Sequence, residues 1–388
     1  MSHVAFCMPA GAGHLNPSLA VAAELVARGH RVTYAAPTVL AERITETGAE
    51  LVGYTSTFEK FREPPKFDRK DLGKAMALNL RETQAVLPQV AESFVDKPDL
   101  VVHDGPIGWW GGLLAARWGV PAVVSWPNLV GNEHWSMAKY LPFNPLSPRI
   151  LLTAARLTRL AARDGVKGTH LIDGTGAAAH LVFIPRAFQY AGDTFGERYH
   201  FVGPALGERA FQGEWTPPAS GRDVVLVSLG TAYNDRADFY RTCLAAFTGT
   251  ELHVVLAVGG QVDPASLGPL PDNVEVHASV PQLSVLKHAK AFVTHGGMGS
   301  TMEALSFGVP LIAVPQMGEQ RANADRIAEL HLGRQVADVT AERLRDAVTS
   351  ALGDAEITAG LEKMRADIAD AGGARVAADV VEEVLATA

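Results

Sequence analysis

The sequence predicts an α/β fold made of two doubly wound parallel sheets. Short apolar runs alternate with helical segments along nearly the whole chain, and this alternation is typical of parallel sheets covered by helices. The 388 residues exceed the usual size of one domain, and a hydrophobic content of 47% is sufficient for sizeable cores. We therefore expect two Rossmann-like domains that face each other across a cleft, with ligands bound at the carboxyl ends of the strands.

Composition places the domain boundaries. Residues 206–222 are rich in Pro and Gly and poor in apolar periodicity, which is typical of a linker. The first domain is therefore predicted at residues 1–205 and the second at 223–370. Residues 371–388 are expected to form a C-terminal helix that can pack back on the first domain.

In the first domain, apolar periodicity predicts five strands and five helices. The strands are expected at residues 3–8, 31–35, 50–54, 98–103 and 120–126. The helices are expected at residues 17–28, 38–47, 72–94, 113–118 and 150–163. Asn16 and Pro17 have the residue types preferred at a helix N-cap and at the first helical position. The segments 55–71 and 128–146 are irregular, and we expect both to shape substrate specificity.

The second domain repeats this alternation. Strands are predicted at residues 224–228, 253–257, 274–277, 291–294 and 311–314. Helices are predicted at residues 238–247, 282–287, 300–307, 319–329 and 341–352. Residues 358–387 are expected to be largely helical, with a break near Gly372 and Gly373.

Charge and cysteine content exclude several classes of protein. The net charge of −8 provides no basic surplus for a nucleic acid. No apolar stretch approaches the roughly 18 residues of a membrane span, and no signal peptide is recognisable. The two cysteines, Cys7 and Cys243, are far apart in sequence and are expected to be reduced, as in a cytoplasm. The sequence predicts no particular oligomeric state.

The turn after the strand at 291–294 is the strongest candidate for a binding site. His295 is followed by Gly296, Gly297 and Gly299 and by the hydroxyls of the next helix. Glycines allow the backbone to approach a ligand closely, and amides at a helix N-terminus favour negative charge. We interpret this turn as a phosphate cradle. The alternative is a tight turn that needs its glycines only for packing.

A second glycine-rich turn, from Gly11 to His14, fits the dinucleotide fingerprint poorly. The third glycine of that fingerprint would fall at Asn16, and the second strand ends in Ala35 and Ala36 with no carboxylate for a ribose. A dehydrogenase is therefore disfavoured.

The motifs together resemble those of the inverting family 1 glycosyltransferases of the GT-B fold, most closely the bacterial branch that glycosylates macrolide and polyketide antibiotics. The resemblance covers nearly the whole chain. Its carriers are the stretches 13–18, 280–282, 295–303, 308–310 and 315–320, with Asn323. The chain departs from the pattern at two positions. Ser279 replaces a tryptophan that stacks on uracil, and Ala12 replaces one histidine of an N-terminal pair.

The resemblance implies a donor site for a nucleotide sugar, with UDP-glucose favoured and a dTDP-sugar possible. It places His295 and the Gly297–Thr301 segment on the diphosphate, Glu303 on the ribose and Gln282 near the base and ribose. Glu319 and Gln320 would contact the sugar hydroxyls. A solvent-facing Glu303 and helix capping by Glu319 and Gln320 stay open as alternatives. The full predicted donor set is Ser228, Gly230, Thr231, Ser279, Val280, Gln282, His295, Gly297, Met298, Gly299, Ser300, Thr301, Glu303, Glu319 and Gln320.

Sugar transfer also requires a base that deprotonates the acceptor hydroxyl. His14 follows the first strand and matches the family's catalytic position, and an imidazole with a pKa near about 6.5 suits proton abstraction at neutral pH. Asp104 ends another strand and could orient His14. The alternatives are local hydrogen bonding by His14 and turn formation by Asp104 before Gly105. Inversion is expected, with no cofactor and no metal site, since no carboxylate pair follows a strand.

The acceptor is expected to be bulky and apolar, because aromatic residues lie next to strand ends of the first domain. The predicted acceptor residues are Trp109, Trp110, Trp126, Asn128 and Trp135, of which some are expected to be core. Two other functions are compatible with the fold. One is a nucleotide-sugar epimerase, and the other is a non-enzymatic nucleotide-sugar-binding helper of a transferase.

Overall fold

The computed structural model describes residues 1–58, 71–141, 144, 146–207, 213–231 and 234–388. Parts of the predicted loops at 55–71 and 128–146 and of the linker at 206–222 lie outside these residues. The described chain forms two compact units. The first contains residues up to 207 together with residues 369–388, and the second contains residues 213–368.

The first unit is built on a parallel sheet of seven strands. They are β1 (His3–Cys7), β2 (Arg31–Pro37), β3 (Glu50–Tyr54), β4 (Leu100–Asp104), β5 (Ala122–Trp126), β6 (Ala179–Val182) and β7 (Tyr199–Phe201). Their order is β3-β2-β1-β4-β5-β6-β7. The order therefore reverses between β1 and β4, and a crevice for ligands opens at such a reversal in doubly wound sheets.

In the part of the chain that the structure describes, six α-helices precede the second unit. They are α1 (Ala12–Ala27), α2 (Ala41–Thr45), α3 (Asp71–Ser93), α4 (Trp109–Trp118), α5 (Pro148–Ala161) and α6 (Gly168–Asp173). Short 3₁₀ turns lie at Thr38–Leu40, Met137–Lys139, Ala162–Asp164 and Gly192–Thr194.

The second unit has a parallel sheet of six strands in the order β10-β9-β8-β11-β12-β13. They are β8 (Asp223–Ser228), β9 (Leu252–Ala257), β10 (Val274–His277), β11 (Ala289–Thr294), β12 (Leu311–Ala313) and β13 (Gly333–Gln335). The reversal here lies between β8 and β11. The helices are α7 (Ala237–Phe247), α8 (Gln282–Leu286), α9 (Met298–Ser306), α10 (Gly318–Glu329), α11 (Ala341–Ala351) and α12 (Ala355–Ala371), with a 3₁₀ turn at Pro264–Leu267.

The last helix, α13 (Gly373–Thr387), belongs to the first unit. Its apolar face, which includes Ala377 and Val381, joins the core cluster formed by α1 and one face of the sheet. At the rim, Arg28 Nη1 lies 2.7 Å from carboxylate oxygens of both Asp379 and Glu382. The helix is therefore held by a buried apolar stripe with ion pairs at its edge.

Both faces of the first sheet are covered, so β1 is apolar at every position from Val4 onward. Val4 and Phe6 join the core shared with α1 and α13, while Ala5 and Cys7 join the core formed with α3 and α4. Alternate residues of a strand point to opposite faces, and a strand buried on both faces reads as a continuous apolar run. Burial raises the pKa of the Cys7 thiol far above its ordinary value.

The predicted start of α1 is wrong. The helix begins at Ala12 with Gly11 in an extended conformation as its N-cap, and Pro17 lies inside the helix. Asn16 is therefore not the N-cap. A proline in the second turn removes only one backbone hydrogen bond of a helix whose apolar side is buried. The earlier start places His14 in the first turn of α1.

The predicted starts of α4 and α9 are also wrong. α4 begins at Trp109 rather than at residue 113, because its glycines bring the helix close to the sheet and do not end it. A Cβ atom on Gly111 would lie 2.5 Å from His103 Cβ and 2.7 Å from Cys7 Cβ. α9 begins at Met298 rather than at residue 300, with Gly297 as its N-cap. The sequence also missed the short elements α6, β6, β7 and β13.

Replacing Val381 by Ala should lower the free energy of unfolding by about 2 kcal/mol, since it removes buried methyl groups and leaves a cavity between α13 and α1. Urea unfolding followed by circular dichroism measures this change. Glu383→Ala, on the exposed side of the same helix, is the matched control and should change stability by less than about 0.5 kcal/mol. Equal effects of the two substitutions would contradict the docking of α13 through its apolar face.

Candidate active site

His14 and Asp104 are brought together by the strand order of the first unit. β1 and β4 are neighbours where that order reverses, so the segments that follow them leave from adjacent carboxyl ends. His14 Nδ1 lies 2.6 Å from Asp104 Oδ2. The two residues are 90 positions apart in sequence, so this contact joins distant parts of the chain.

The Asp104 carboxylate is fully satisfied within the protein. Its side chain is 0% exposed. Oδ1 accepts hydrogen bonds from the backbone amides of Ile107 at 2.8 Å and Gly108 at 3.2 Å, while Oδ2 faces His14. Asp104 therefore forms the turn after β4 and also contacts His14, so both sequence interpretations of this residue hold.

The imidazole of His14 is partly open to solvent, with 21% of its side chain exposed. It lies in the first turn of α1. When Nδ1 carries the hydrogen that Asp104 accepts, Nε2 is the basic nitrogen of the ring.

The predicted acceptor tryptophans fall into two groups. Trp109 and Trp110 lie in the core cluster between α3, α4 and the sheet, and Trp110 is 0% exposed. We therefore assign these two to the core and not to an acceptor surface, because both lie on the buried side of α4. The ring of Trp110 meets the ring of Tyr54 edge-on at 5.3 Å.

The other acceptor candidates differ in burial, since Trp126 is only 8% exposed whereas Asn128 and Trp135 are half-buried. Trp126 ends β5 and donates from its indole nitrogen to His180 Nδ1 at 3.0 Å. Trp135 is half-buried and stacks on Tyr190, with ring centroids 5.0 Å apart. Asn128 lies between them in sequence and is half-buried. The stacked pair offers an aromatic surface of the kind that binds apolar ligands.

In the second unit, His295 directly follows β11 at the strand-order reversal and is enclosed by glycines. A Cβ atom on Gly230, whose φ is +77°, would lie 2.6 Å from His295 Cε1, and a Cβ atom on Gly297 would also collide with the ring. Desolvation lowers the pKa of His295 to about 4, although a hydrogen bond with the Ser228 backbone works in the opposite direction. The ring is therefore neutral at physiological pH.

The helix that begins after His295 presents its first turn to the same place. α9 starts at Met298 with no acidic residue in its first turn. Thr301 is buried, and its Oγ1 has no hydrogen-bond partner within the described chain. A buried hydroxyl without a partner is costly unless a ligand or water supplies one. The first turn of α9 is therefore suited to an anion.

Gln282 and Glu303 are joined by a hydrogen bond. Gln282 Nε2 donates to Glu303 Oε2 at 2.6 Å and to Ser300 Oγ at 3.2 Å. Glu303 is only 5% exposed, which excludes the alternative of a solvent-facing glutamate. The side chains predicted for the base, the ribose and the diphosphate therefore lie next to one another.

The remaining donor candidates differ in their contacts. Gln320 is buried and its Oε1 accepts from the backbone amide of Gln316 at 2.8 Å, so its carbonyl end is used at the start of α10, as the capping alternative expects. Glu319 Oε1 accepts from Asn323 Nδ2 at 3.2 Å. Ser279 and Thr231 are exposed, whereas Ser228 is buried and its Oγ accepts from the Gly230 amide. Val280, Gly299 and Ser300 are half-buried and Met298 is buried.

Among the described residues, no helix has the length and apolar character needed to cross a membrane. The same residues contain no group of three or more His, Cys, Asp or Glu side chains that could hold a metal ion.

Several known proteins are similar to this chain over nearly its whole length. Residues 241–384 match the family model of the C-terminal domain of erythromycin biosynthesis protein CIII-like proteins. Demethyllactenocin mycarosyltransferase of Streptomyces fradiae is 42% identical, over 100% of this chain and 87% of that protein. Oleandomycin glycosyltransferase of Streptomyces antibioticus is 40% identical, over 99% of this chain and 91% of that protein. The crystal structure of the calicheamicin glycosyltransferase CalG4 superposes with a TM-score of 0.87 at 38% identity, covering 100% of this chain and 98% of that one.

The chain belongs to the family 1 glycosyltransferases. Its branch is that of the antibiotic glycosyltransferases, and its two parallel-sheet units have the GT-B fold. The predictions of family, fold and enzyme class are thereby confirmed.

One residue that supports a glycine turn of this glycosyltransferase was not predicted from the sequence. Asn234 Nδ2 donates to the Gly230 carbonyl at 2.9 Å, and the amide packs against Gly259. Asn323 was noted only as part of a motif, yet its Nδ2 donates to the Gly296 carbonyl at 2.8 Å. Both are buried asparagines that hold carbonyls of the glycine turns. The φ values above zero at Gly230 and Gly296 could not be read from the sequence, so the need for such partners was not visible.

Gly230→Ala should displace the His295 ring of the glycosyltransferase, since the new methyl group overlaps it. The pKa of His295 should then rise from about 4 toward 6.5 as the ring becomes hydrated, which histidine NMR titration measures. Gly249→Ala is the matched control, because Gly249 has a similar φ of +70° and nothing within 4 Å of a new Cβ atom. An unchanged His295 titration in the Gly230 variant would show that the enclosure does not control the pKa.

Proposed function

We propose that this glycosyltransferase transfers a sugar from a nucleoside diphosphate sugar to a hydroxyl of a bulky apolar natural product, with inversion at the anomeric carbon. UDP-glucose is the favoured donor and a dTDP-sugar is the second candidate. The acceptor is a macrolide, polyketide or phenol. The observation that carries the proposal is the 2.6 Å contact between His14 and the buried carboxylate of Asp104.

His14 acts as the general base in this proposal. Asp104 accepts the Nδ1 hydrogen and so fixes the tautomer, which leaves Nε2 as the nitrogen that takes the proton of the acceptor hydroxyl. The acceptor oxygen forms a bond to the anomeric carbon while the bond from that carbon to the diphosphate oxygen breaks. The diphosphate leaves with the electron pair. One displacement of this kind inverts the configuration and needs no covalent enzyme intermediate.

The leaving diphosphate is held by the turn after β11. The amides in the first turn of α9 and the hydroxyls of Ser300 and Thr301 are donors aimed at one anion. His295 contributes a neutral ring N–H, because its low pKa leaves it uncharged at neutral pH. Oriented amides and hydroxyls can stabilise a developing diphosphate charge, so the proposal assigns no metal ion and no cofactor to the reaction.

The base and the sugar are recognised by neighbouring groups. The joined pair of Gln282 and Glu303 supports binding of the base and the ribose, since a carboxylate can accept both ribose hydroxyls. Glu319 and the amide end of Gln320 are assigned to the sugar. Ser279, where related enzymes have an aromatic platform for uracil, offers no ring for stacking, so the choice between UDP and dTDP depends on the other contacts.

The acceptor assignment rests on Trp126, Asn128 and Trp135 in the first unit. Two relatives of 42% and 40% identity are named as a demethyllactenocin mycarosyltransferase and an oleandomycin glycosyltransferase, which supports a macrolide acceptor. Both cysteines are buried and unpaired, which supports a reducing compartment such as the cytoplasm as the location of the enzyme.

Asp104→Asn should lower kcat by about 10²–10⁴-fold, because an amide NH₂ facing His14 Nδ1 selects the tautomer in which Nε2 carries the hydrogen and cannot act as a base. The amide oxygen can still accept from Ile107 and Gly108, so the turn should remain folded. Rates are measured with UDP-glucose, dTDP-glucose and a panel of macrolides and phenols. Asp99→Asn, an exposed aspartate just before the same strand, is the control. If Asp104→Asn kept a kcat within about threefold of the wild-type value, the pair of His14 and Asp104 would have no role in the mechanism.

His14→Ala should abolish transfer and leave nucleotide affinity nearly unchanged, since His14 acts on the acceptor.

His295→Ala should weaken UDP or dTDP binding by about tenfold, the effect of one lost hydrogen bond to a charged group. Calorimetry with UDP and dTDP measures both variants, and His288→Ala, an exposed histidine before β11, is the control. Unchanged nucleotide affinity in His295→Ala would refute the placement of the diphosphate.

A further inference from the structure

Helix α5 of the first unit has a buried side and an exposed side. Thr153, Leu157 and Ala161 are buried and follow one another at intervals of four residues, so they form the side that packs into the unit. The residues on the opposite side are exposed. That outer side is uncommon for a solvated helix, because it combines arginines with leucines and has no carboxylate.

The exposed side consists of two neighbouring stripes. Side chains at intervals of four and three residues lie along one line of a helix. One such line contains Leu152, Arg156, Arg159 and Arg163, the last of them in the 3₁₀ turn that directly continues the helix. The line beside it contains Leu151, Ala155 and Thr158. We refer to these two stripes together as the α5 surface.

The positive charge of the α5 surface is not neutralised within its own helix. α5 contains no acidic residue between Pro148 and Ala161. Asp164, which follows it, pairs with Arg117 at 3.0 Å, and no ion pair to Arg156, Arg159 or Arg163 is present among the described residues. Arginines three and four positions apart repel each other on a helix, and an anionic partner would relieve that repulsion.

The helices packed against α5 do not reverse this charge. α3 and α6 both contact α5. Among their described side chains, the exposed basic residues are Lys74 and Arg81, and the exposed acidic residues are Glu92 and Asp173. These charges balance, so the positive surplus of the α5 surface persists in a chain whose net charge is −8.

The leucines supply the apolar part of the surface. Leu151 and Leu152 are 52% and 54% exposed, and Leu146, just before the helix, is 75% exposed. Single exposed leucines are ordinary in folded proteins. Here, however, three of them lie within seven positions beside the basic stripe, so the same surface offers both positive charge and apolar contact.

A surface of this kind is complementary to an anionic lipid bilayer. Arginines attract anionic head groups, and leucines gain free energy when they leave water at the boundary of the acyl chains. A nucleic acid would match only the arginines. A second copy of this chain would bring one positive surface against another, which is unfavourable.

We propose that the α5 surface binds the face of an anionic lipid bilayer. Arg156, Arg159 and Arg163 contact the phosphates of the head groups, and Leu151 and Leu152 reach the boundary of the acyl chains. α5 then lies along the membrane surface and does not cross it. This assignment does not depend on the donor, the acceptor or the catalytic base proposed above.

Sedimentation of the full chain with lipid vesicles tests the proposal. Vesicles of phosphatidylcholine and phosphatidylglycerol in equal parts should bind the protein, and vesicles of phosphatidylcholine alone should bind it at least about tenfold more weakly. Raising the ionic strength from about 0.1 M to about 1 M shortens the screening length from about 10 Å to about 3 Å, so it should release most of the bound protein. Equal binding to both compositions, or no binding to the anionic vesicles at low salt, would overturn the proposal.

Substitutions on the α5 surface separate its two parts. The double substitution Arg156→Gln and Arg159→Gln should weaken binding to the anionic vesicles by about 30-fold, since each basic residue near such a surface contributes about fivefold. Leu152→Ser should weaken it by about tenfold through lost apolar burial. All three side chains are exposed, so both variants should fold as the wild type does, which circular dichroism verifies.

Matched controls lie in the second unit. The double substitution Arg222→Gln and Arg365→Gln removes the same charge from exposed positions, and Leu270→Ser removes a leucine that is 44% exposed. Both controls should bind vesicles as the wild type does. Wild-type binding by the double α5 variant would refute the proposal. If the serine variant of α5 changed the sedimentation velocity of the protein without lipid, the surface would instead be a contact between copies of the chain.

Discussion

The buried carboxylate of Asp104 imposes the main constraint on the first unit. An ionised side chain without solvent contact is destabilising by several kcal/mol unless hydrogen bonds and a counter-charge surround it. Two amides of the turn after β4 satisfy one oxygen, and His14 satisfies the other. These partners come from two places in the chain, the turn after β4 and the first turn of α1, and they meet because β1 and β4 are adjacent in the sheet. A Cβ atom on Gly108 would lie 2.7 Å from the Asp104 carbonyl, so even the glycine of the turn is required by this arrangement.

The second unit uses the same strand-order reversal for a different physical purpose. Its central group, His295, is kept neutral by desolvation, and it is positioned by the absence of side chains at Gly230 and Gly297. The buried side-chain amides of Asn234 and Asn323 donate to carbonyls of the two turns. These hydrogen bonds fix the backbone of glycines that would otherwise be flexible. The position of His295 depends on steric exclusion and hydrogen bonds, whereas the arrangement in the first unit depends on the partners of the buried Asp104 carboxylate.

Much of this could be predicted from the sequence, and the failures have physical reasons. The alternation of apolar runs predicts both sheets, and the glycines after β11 predict the tight turn that precedes α9. Asn16 and Pro17 have strong local preferences for a helix start, but burial of Leu15 and Ser18 carries the helix back to Ala12. Gly111 resembles a helix breaker until its contact with Cys7 and His103 is seen, and Trp110 resembles a pocket residue until its burial is seen. β6 and β7 were missed because they are short. The Gln282–Glu303 bond joins distant segments, and no local pattern encodes it.

The two helices that begin at these reversals serve a base and an anion in the proposed mechanism. Neither α1 nor α9 has an acidic residue in its first turn, so no side chain of the turn itself offsets the partial positive charge of either N-terminus. The first turn of α1 contains His14, and Asp104 on the neighbouring strand contacts its Nδ1 at 2.6 Å. The first turn of α9 instead contains the buried Thr301 hydroxyl, which has no partner in the described chain. The side chains at the two first turns therefore support the proposed base in the first unit and the proposed diphosphate site in the second.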